Sequence, residues 1–247
     1  MLFPQKRKPG GTPTDPQESD LSLITSDPGK LAEVRKRLSN IGWFIRCLAE
    51  PIARMSNRED QCTGRFWEGR YKCQPLLDEA ALAACMAYVD LNPVGARISE
   101  TPESSPFTSA FERIQGQQVE SASQQSRGEW LSRVELAKNH ASESQDLPAG
   151  QASHRGCLAM TQSEYLQLLD WSGRVLSRGK RGSIPSEPPP ILARLGLSED
   201  GWQSLVKDFG RLFRRAAGSA TSLDREATRR DQAWLHGTRQ SVFVEPT

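Results

Sequence analysis

The chain has little of what would tie it to a membrane, a disulfide framework or a zinc site. In its 247 residues no apolar run approaches the roughly 18 to 20 residues of a membrane-spanning helix. The first residues, Met1 to Gly11, are basic and Pro/Gly-containing and have no apolar signal core. A cytoplasmic location without membrane partners is therefore expected. The five cysteines, Cys47, Cys62, Cys73, Cys85 and Cys157, are odd in number and follow no CxxC or Cys/His spacing, which argues against a disulfide scaffold and against structural zinc. They read as reduced thiols, with Cys47 and Cys85 placed as small buried groups in apolar helical patterns. Histidine is scarcer still: His140, His154 and His236 are isolated from one another and read as surface residues.

The net charge is only +2, yet the charge is unevenly placed. Lys30 to Cys73 carries an excess of about five positive charges and Trp171 to Thr247 about five more, whereas Ile98 to Met160 is acidic by about three. Two basic ends flanking an acidic connector are compatible with phosphate contacts at both ends, and also with solvated Arg-rich helix faces.

The organisation follows from periodicity and punctuation. Residues 1–29 read as a flexible leader of Pro, Gly, Thr, Asp and Ser. From Lys30 onward Leu31, Val34, Leu38, Ile41, Phe44, Ile45, Leu48 and Ile52 recur at helical spacing, with Asn40-Ile41-Gly42 marking a break between two helices and Pro51 expected to kink or weaken the second. The aromatic stretch Arg65 to Leu77 predicts an extended stretch or strand, bounded by Gly64 and Asp78. Asp78 caps a helix through Ala81, Leu82, Cys85, Met86, Val89 and Leu91, which Asn92-Pro93 is expected to stop. Residues 115–160 read as a Ser/Gln/Glu-rich linker, preceded by a short helix at Phe107 to Ile114 and containing another near Trp130 to Lys138. Residues 161–243 predict a helical unit: a helix from Gln162 to Leu176 capped by Thr161 with Glu164, then helices near Ile191 to Leu195, Glu199 to Ala217 and Asp224 to Leu235.

One constellation points to chemistry. Gly64-Arg65-Phe66-Trp67-Glu68-Gly69-Arg70-Tyr71 is followed, at a helix's distance, by Ala87-Tyr88-Val89-Asp90-Leu91-Asn92-Pro93-Val94. Tyr88 and Asn92 are four residues apart and so project from one helix face. Taken without any relative, a tyrosine on an apolar helix is a packing residue and Asn-Pro a helix stop. Their joint occurrence resembles the REP-associated tyrosine transposases of the HUH superfamily, whose pattern is an Arg/x-Phe-Trp-Glu turn, a strand, and a helix ending Tyr-(Ile/Val)-x-x-Asn-Pro-Val. Ile41-Gly42-Trp43-Phe44-Ile45-Arg46, Glu50-Pro51-Ile52-Ala53-Arg54, the stretch Tyr165 to Arg174, and Phe209 to Arg215 are similar to flanking helices of longer members.

The resemblance implies several things. Tyr88 would attack a DNA phosphodiester and form a 5′-phosphotyrosine intermediate. Mg²⁺ or Mn²⁺, held by a His-hydrophobic-His pair on a strand and by a polar residue of the tyrosine helix, here Asn92, would polarise the phosphate for attack by a phenol of pKa about 10. The fold would be mainly α: residues 30–114 as the C-terminal remnant of an α+β ferredoxin-like HUH domain, and 161–243 as an accessory helical unit. Single-stranded or hairpin DNA would be the partner, and an oligomer is compatible with the pattern. Arg65, Trp67, Arg70 and Lys72 suit stacking on unpaired bases with phosphate neutralisation. Arg178, Lys180 and Arg181 form a second basic group, and Arg211, Arg214 and Arg215, at i, i+3 and i+4, a third on one helix face.

The pattern also fails in two places. No His-hydrophobic-His pair is present, and all three histidines follow the tyrosine, where the family places the pair before it. The strands that carry the pair would precede Met1, so the chain reads as one that starts after the metal strand. Members commonly read Asn-Pro-Val-Arg-Ala-Gly, whereas this chain has Asn92-Pro93-Val94-Gly95-Ala96-Arg97. The expectation is a transposase-family protein inactive in cleavage by itself, against a non-catalytic DNA-binding relic or a helical interaction module.

Overall fold

The structure, a computed structural model, describes residues 17–119, 131–136, 156–176 and 188–237. Their secondary structure is mainly helical, with nine α-helices and no sheet among the described residues. No helix of the described residues is long and apolar enough to cross a membrane. Two compact units divide at Lys72 and Cys73.

The first unit contains α1 (Glu18–Thr25), α2 (Pro28–Leu38) and α3 (Ile41–Glu59). Helix α1 lies inside the stretch expected to be a leader, so helical order begins before Lys30. A local contact accounts for it: the Asp20 carboxylate, one turn in, accepts from the Gln17 backbone N–H at 3.1 Å. Asp27 caps α2, accepting from Gly29 and Lys30, and Asn40 caps α3, accepting from Trp43 at 3.1 Å. The expected break thus falls at Ser39–Asn40. Helix α3 runs on through Pro51; the ring removes the donor to the carbonyl of Cys47, which is exposed and not buried as its apolar neighbourhood suggested.

Arg65 to Lys72 is not a strand. These residues lie in bends and irregular backbone, all exposed, and no neighbouring backbone ladder is there to satisfy them. The Trp67 indole N–H donates to the Ala49 carbonyl of α3 at 3.0 Å, and Phe66 meets Trp67 edge-on at 4.8 Å. None of residues 17–72 is buried, and Ile41, Phe44, Leu48 and Met55 stand exposed along one face of α3.

The second unit is built around α4 (Glu79–Gly95). Five alanines of α4, at 80, 81, 83, 84 and 87, are buried. Side chains this small let α6 (Gln162–Leu176) and α8 (Glu199–Leu212) approach closely, and both pack on α4 and on each other. Tyr165, Leu168, Leu169, Ser172 and Val175 supply the inner face of α6; Trp202, Leu205, Val206 and Phe209 supply that of α8. One continuous core therefore joins residues that the sequence reading assigned to separate domains, 30–114 and 161–243. The unit is completed by α5 (Ser109–Val119), a short α7 (Ile191–Arg194) and α9 (Ala220–Arg229).

The N-terminus of α4 is tied to distant chain. Asp78 accepts from Ala81 N at 2.9 Å and, through its other oxygen, from Ser219 N at 2.6 Å; Ser219 in turn caps α9. Leu77 N donates to Ala217 O at 2.8 Å and Ala217 N to Pro75 O at 3.0 Å, so the expected strand survives only as an isolated parallel bridge of Leu76 with Ala217. Glu79, its carboxyl held below its ordinary value chiefly by the Arg194 guanidinium, accepts two hydrogen bonds from Arg194 and one from Ala159 N.

Part of the expected linker is structural. Residues 131–136 are irregular backbone with one bridge residue, Glu135, where a helix was expected, and Val134 and Leu158 are buried against the main core. Cys157 N and Leu158 N both donate to Val134 O, and Leu136 N donates to Leu158 O. The helix lost because Glu135 and Leu158 pair in a parallel bridge instead, a long-range contact invisible to local periodicity.

Two outcomes are expected. A Cβ on Gly156 would lie 1.7 Å from the Glu135 carbonyl oxygen, so Gly156→Ala should lower unfolding stability by about 2 kcal/mol or more in urea titrations, through forced backbone displacement. On α9 the Arg229 and Arg230 guanidiniums hold the Glu226 carboxyl down to about 2, from an ordinary 4.5. Because the folded value is depressed, its stabilisation is present above about pH 4.5 and lost as pH falls toward 2. Acid titration of the melting temperature should be shallower in this window for Glu226→Gln.

Candidate functional site

Helix α4 places Tyr88 and Asn92 one turn apart, as their spacing required, and both line one open cleft of about 820 Å³ between α4 and α8. Val175 of α6 also lines it. The Tyr88 ring is half-buried and stacked on Phe209, with centroids 6.0 Å apart and planes at 28°. A side chain added at Gly210 would come within 3.8 Å of the Tyr88 hydroxyl, so the backbone of α8 runs close beside the phenol. Asn92 is exposed.

The rotation of α4 that presents these two residues is set from its other side. Asp90 is 1% exposed, and its carboxylate accepts from Ser109 N at 2.9 Å, from the Ser109 hydroxyl, from Ala110 N at 3.2 Å and from the Tyr165 hydroxyl at 2.7 Å. The first turn of α5 and the buried phenol of α6 are thereby held by one carboxylate. Burial, then the Asp90 charge, keeps the Tyr165 hydroxyl well above its ordinary value, so it stays a donor. Arg113, also buried, donates to Ser132 O at 2.8 Å; burial lowers its guanidinium from the usual range. Two residues of α-helix correspond to a turn of about 200°, so Asp90 facing inward sends Tyr88 and Asn92 to the opposite side.

Helix α4 does not stop at Asn92-Pro93. It continues to Gly95 and closes with Ile98 N donating to Pro93 O at 2.9 Å and Arg97 N to Val94 O at 3.1 Å. Pro93 sits in the last turn, where its missing N–H costs only the bond to the carbonyl of Val89, an exposed residue. This Schellman-type ending puts Arg97 at φ 60°, the left-handed position that ordinarily takes glycine. Gly95 and Ala96, which line the cleft, keep that end of the helix open.

The opposite wall is the polar stripe of α8: Asp200, Gln203, Ser204, Lys207 and Asp208. Sequence reasoning did not select these residues. Their i, i+3, i+4, i+7, i+8 spacing was legible, but such a stripe reads as a solvated face until α4 is known to lie opposite it. At Asp208 the helix departs from helical backbone (φ −118°, ψ 21°), next to the Phe209 that carries Tyr88.

The expected basic residues are only partly brought together. Arg65, Arg70 and Lys72 are exposed in the first unit, and Trp67 there is committed to α3 through its indole N–H. Arg178, Lys180 and Arg181 lie outside the described residues, as do His140 and His154. Arg211, Arg214 and Arg215 do not share a helix face: α8 ends at Leu212, Phe213 is extended, and the chain turns away toward the Ala217 bridge. Arg211 is paired with Asp208 at 3.5 Å.

The divalent ion implied by the resemblance finds no matching donor set among the described residues. Among the described residues no three His, Cys, Asp or Glu side chains are grouped as a metal would need. Asn92 has no imidazole pair beside it, and the Nδ1–H of His236 donates to Leu212 O at 3.0 Å. Asp208, the acid nearest the kink, already faces Arg211.

Tyr88→Phe should keep the ring on Phe209 and change stability by less than about 0.5 kcal/mol, whereas Tyr88→Ala should cost about 1–2 kcal/mol and Phe209→Ala about 3–5 kcal/mol, as read by thermal or urea unfolding. Comparison with protein-family models, with curated proteins and with solved structures gives no match to this chain.

Proposed function

We propose that this chain is a DNA-binding protein of the transposase family, related to the REP-associated tyrosine transposases, which engages single-stranded or hairpin DNA and does not cleave it by itself. The observation that carries the reading is the joint placement of Tyr88 and Asn92 on the wall of one open cleft, with the Phe66-Trp67-Glu68 and Asn92-Pro93-Val94 motifs beside it in sequence. On this reading, residues 30–114 are the remnant of the ferredoxin-like HUH domain that bore the nucleophile.

Strand cleavage needs more than the phenol. A tyrosine hydroxyl with a pKa near 10 is a weak nucleophile at neutral pH unless a base takes its proton or a cation polarises the phosphate. In this chain Tyr88 has Phe209 against its ring and Asn92 one turn away, and Asn92 is no base. The residues can orient a bound strand and hydrogen-bond to it, but among the described residues no donors for the metal are assembled. Affinity would come from exposed Arg65, Arg70, Lys72, Arg214 and Arg215, whose phosphate contacts release counterions and make binding fall as salt rises.

The test is direct. Purified protein incubated with hairpin or single-stranded DNA and Mg²⁺ or Mn²⁺ should retain the DNA on native gels, in a salt-sensitive manner, and give no covalent adduct on denaturing gels. A metal-dependent adduct abolished by Tyr88→Phe would establish cleavage instead. Absence of any salt-sensitive DNA retention would leave a helical interaction module as the account.

A further inference from the structure

The walls of the Tyr88 cleft carry a chemistry that phosphate binding does not use. Asp200 and Asp208 lie on the α8 side, and a phosphate brought between them and α4 would meet like charge. Lys207 is the cation of that wall, flanked by the two acids in sequence, and Arg211 is drawn to Asp208. Asn92 on α4 and Gln203 on α8 contribute carboxamides, each offering a donor pair and an acceptor. Ser204 and Tyr88 add hydroxyls, and Tyr88 an aromatic ring whose stack on Phe209 fixes its orientation. Gly95 and Ala96 leave room at the end of α4 for a flat group to enter.

We propose that this cleft takes an unpaired nucleobase bearing an exocyclic amino group, with the strand's phosphates left outside it toward Lys207. The proposal rests on the DNA-binding reading and deepens it by naming what the Tyr88 site recognises. A neutral heterocycle escapes the repulsion that the acids impose on phosphate. The carboxylates of Asp200 and Asp208 can only accept, and the amide oxygens of Asn92 and Gln203 add two more acceptors; an amino group is what such a wall can satisfy. Cytosine presents its N4 amino group and an adjacent ring acceptor to a side-chain amide. Thymine presents a carbonyl beside a ring N–H there; a side-chain amide can turn over to meet that pair, but the carbonyl then faces the carboxylates of Asp200 and Asp208, which only accept. Asn92, which the resemblance assigns to a metal, is on this account a base-reading amide.

The experiment compares two homopolymer oligonucleotides of equal length, oligo-dC and oligo-dT, by fluorescence anisotropy with the full chain at neutral pH and several salt concentrations. Both are pyrimidine strands with the same backbone charge, so they differ in the group the cleft reads. Oligo-dC is expected to bind about fivefold or more tightly than oligo-dT. In the Asn92→Ala/Gln203→Ala double variant this preference should collapse toward unity while the salt dependence of what binding remains stays that of the parent. Alanine suits both positions, since both lie within helices and Asn92 is exposed. Equal binding of the two strands by the parent chain, or a preference that persists in the double variant, would overturn the base-reading cleft and leave the DNA-binding reading intact. Failure to bind either strand would overturn the base-reading cleft, and failure to retain hairpin DNA as well would overturn the DNA-binding reading.

Discussion

A single buried carboxylate orders the second unit. Asp90 receives hydrogen bonds from the backbone and side chain of Ser109, from Ala110 N and from the Tyr165 hydroxyl, and so joins three helices at one point. Its geometry admits little freedom. Were α4 to turn about its axis, the orphan N–H groups at the start of α5 would lose their acceptor in a place from which water is excluded, and the Tyr165 phenol would be left without its partner. The alanine faces of α4 let its neighbours come near, but alanines are nearly interchangeable as packing surfaces and could slide. The carboxylate removes that degeneracy. Everything said of Tyr88 and Asn92 depends on it, because they face the cleft only while Asp90 faces inward.

The sequence revealed local chemistry well and long-range chemistry poorly. Caps were readable because they are written within four residues: Asp78 before α4, and Thr161 with Glu164 before α6, where the Glu164 carboxylate accepts from Thr161 N at 2.7 Å and the Thr161 hydroxyl accepts from Glu164 N. The mainly helical character followed from the same signals. The stretch at 65–77 was misread because aromatic content describes what suits a strand and not whether a neighbouring strand exists. The bridged segment 131–136 was misread for the converse reason: its partner at Cys157–Leu158 lies beyond any local window. Likewise nothing in the local pattern marked Asp90 as the residue that the interior is arranged around.

The candidate site was half legible. Tyr88 and Asn92 came from motif and spacing, and their common face needed only the helix repeat. The opposing wall could not be read, since the polar stripe of α8 gains meaning only from what it faces. The displaced glycine after the tyrosine helix shows both sides of this. Its departure from the family pattern was visible in sequence, but only the structure gives the physical content: Arg97 holds the left-handed position at the helix end, and the glycine now at 95 lies on the cleft.

The tether at the head of α4 bears on how the chain acquires this structure. Asp78 and Ser219 are 141 positions apart, and the Leu76–Ala217 bridge spans the same interval. During synthesis the N-terminus of the central helix thus emerges long before the backbone that secures it. Its alanine surface has to persist unpaired, or in provisional company, while the acidic connector and the later helices are still being made. Closure of so long a loop is slow compared with helix formation, so assembly of this unit is governed by the arrival of residues 217–219 rather than by the propensity of α4.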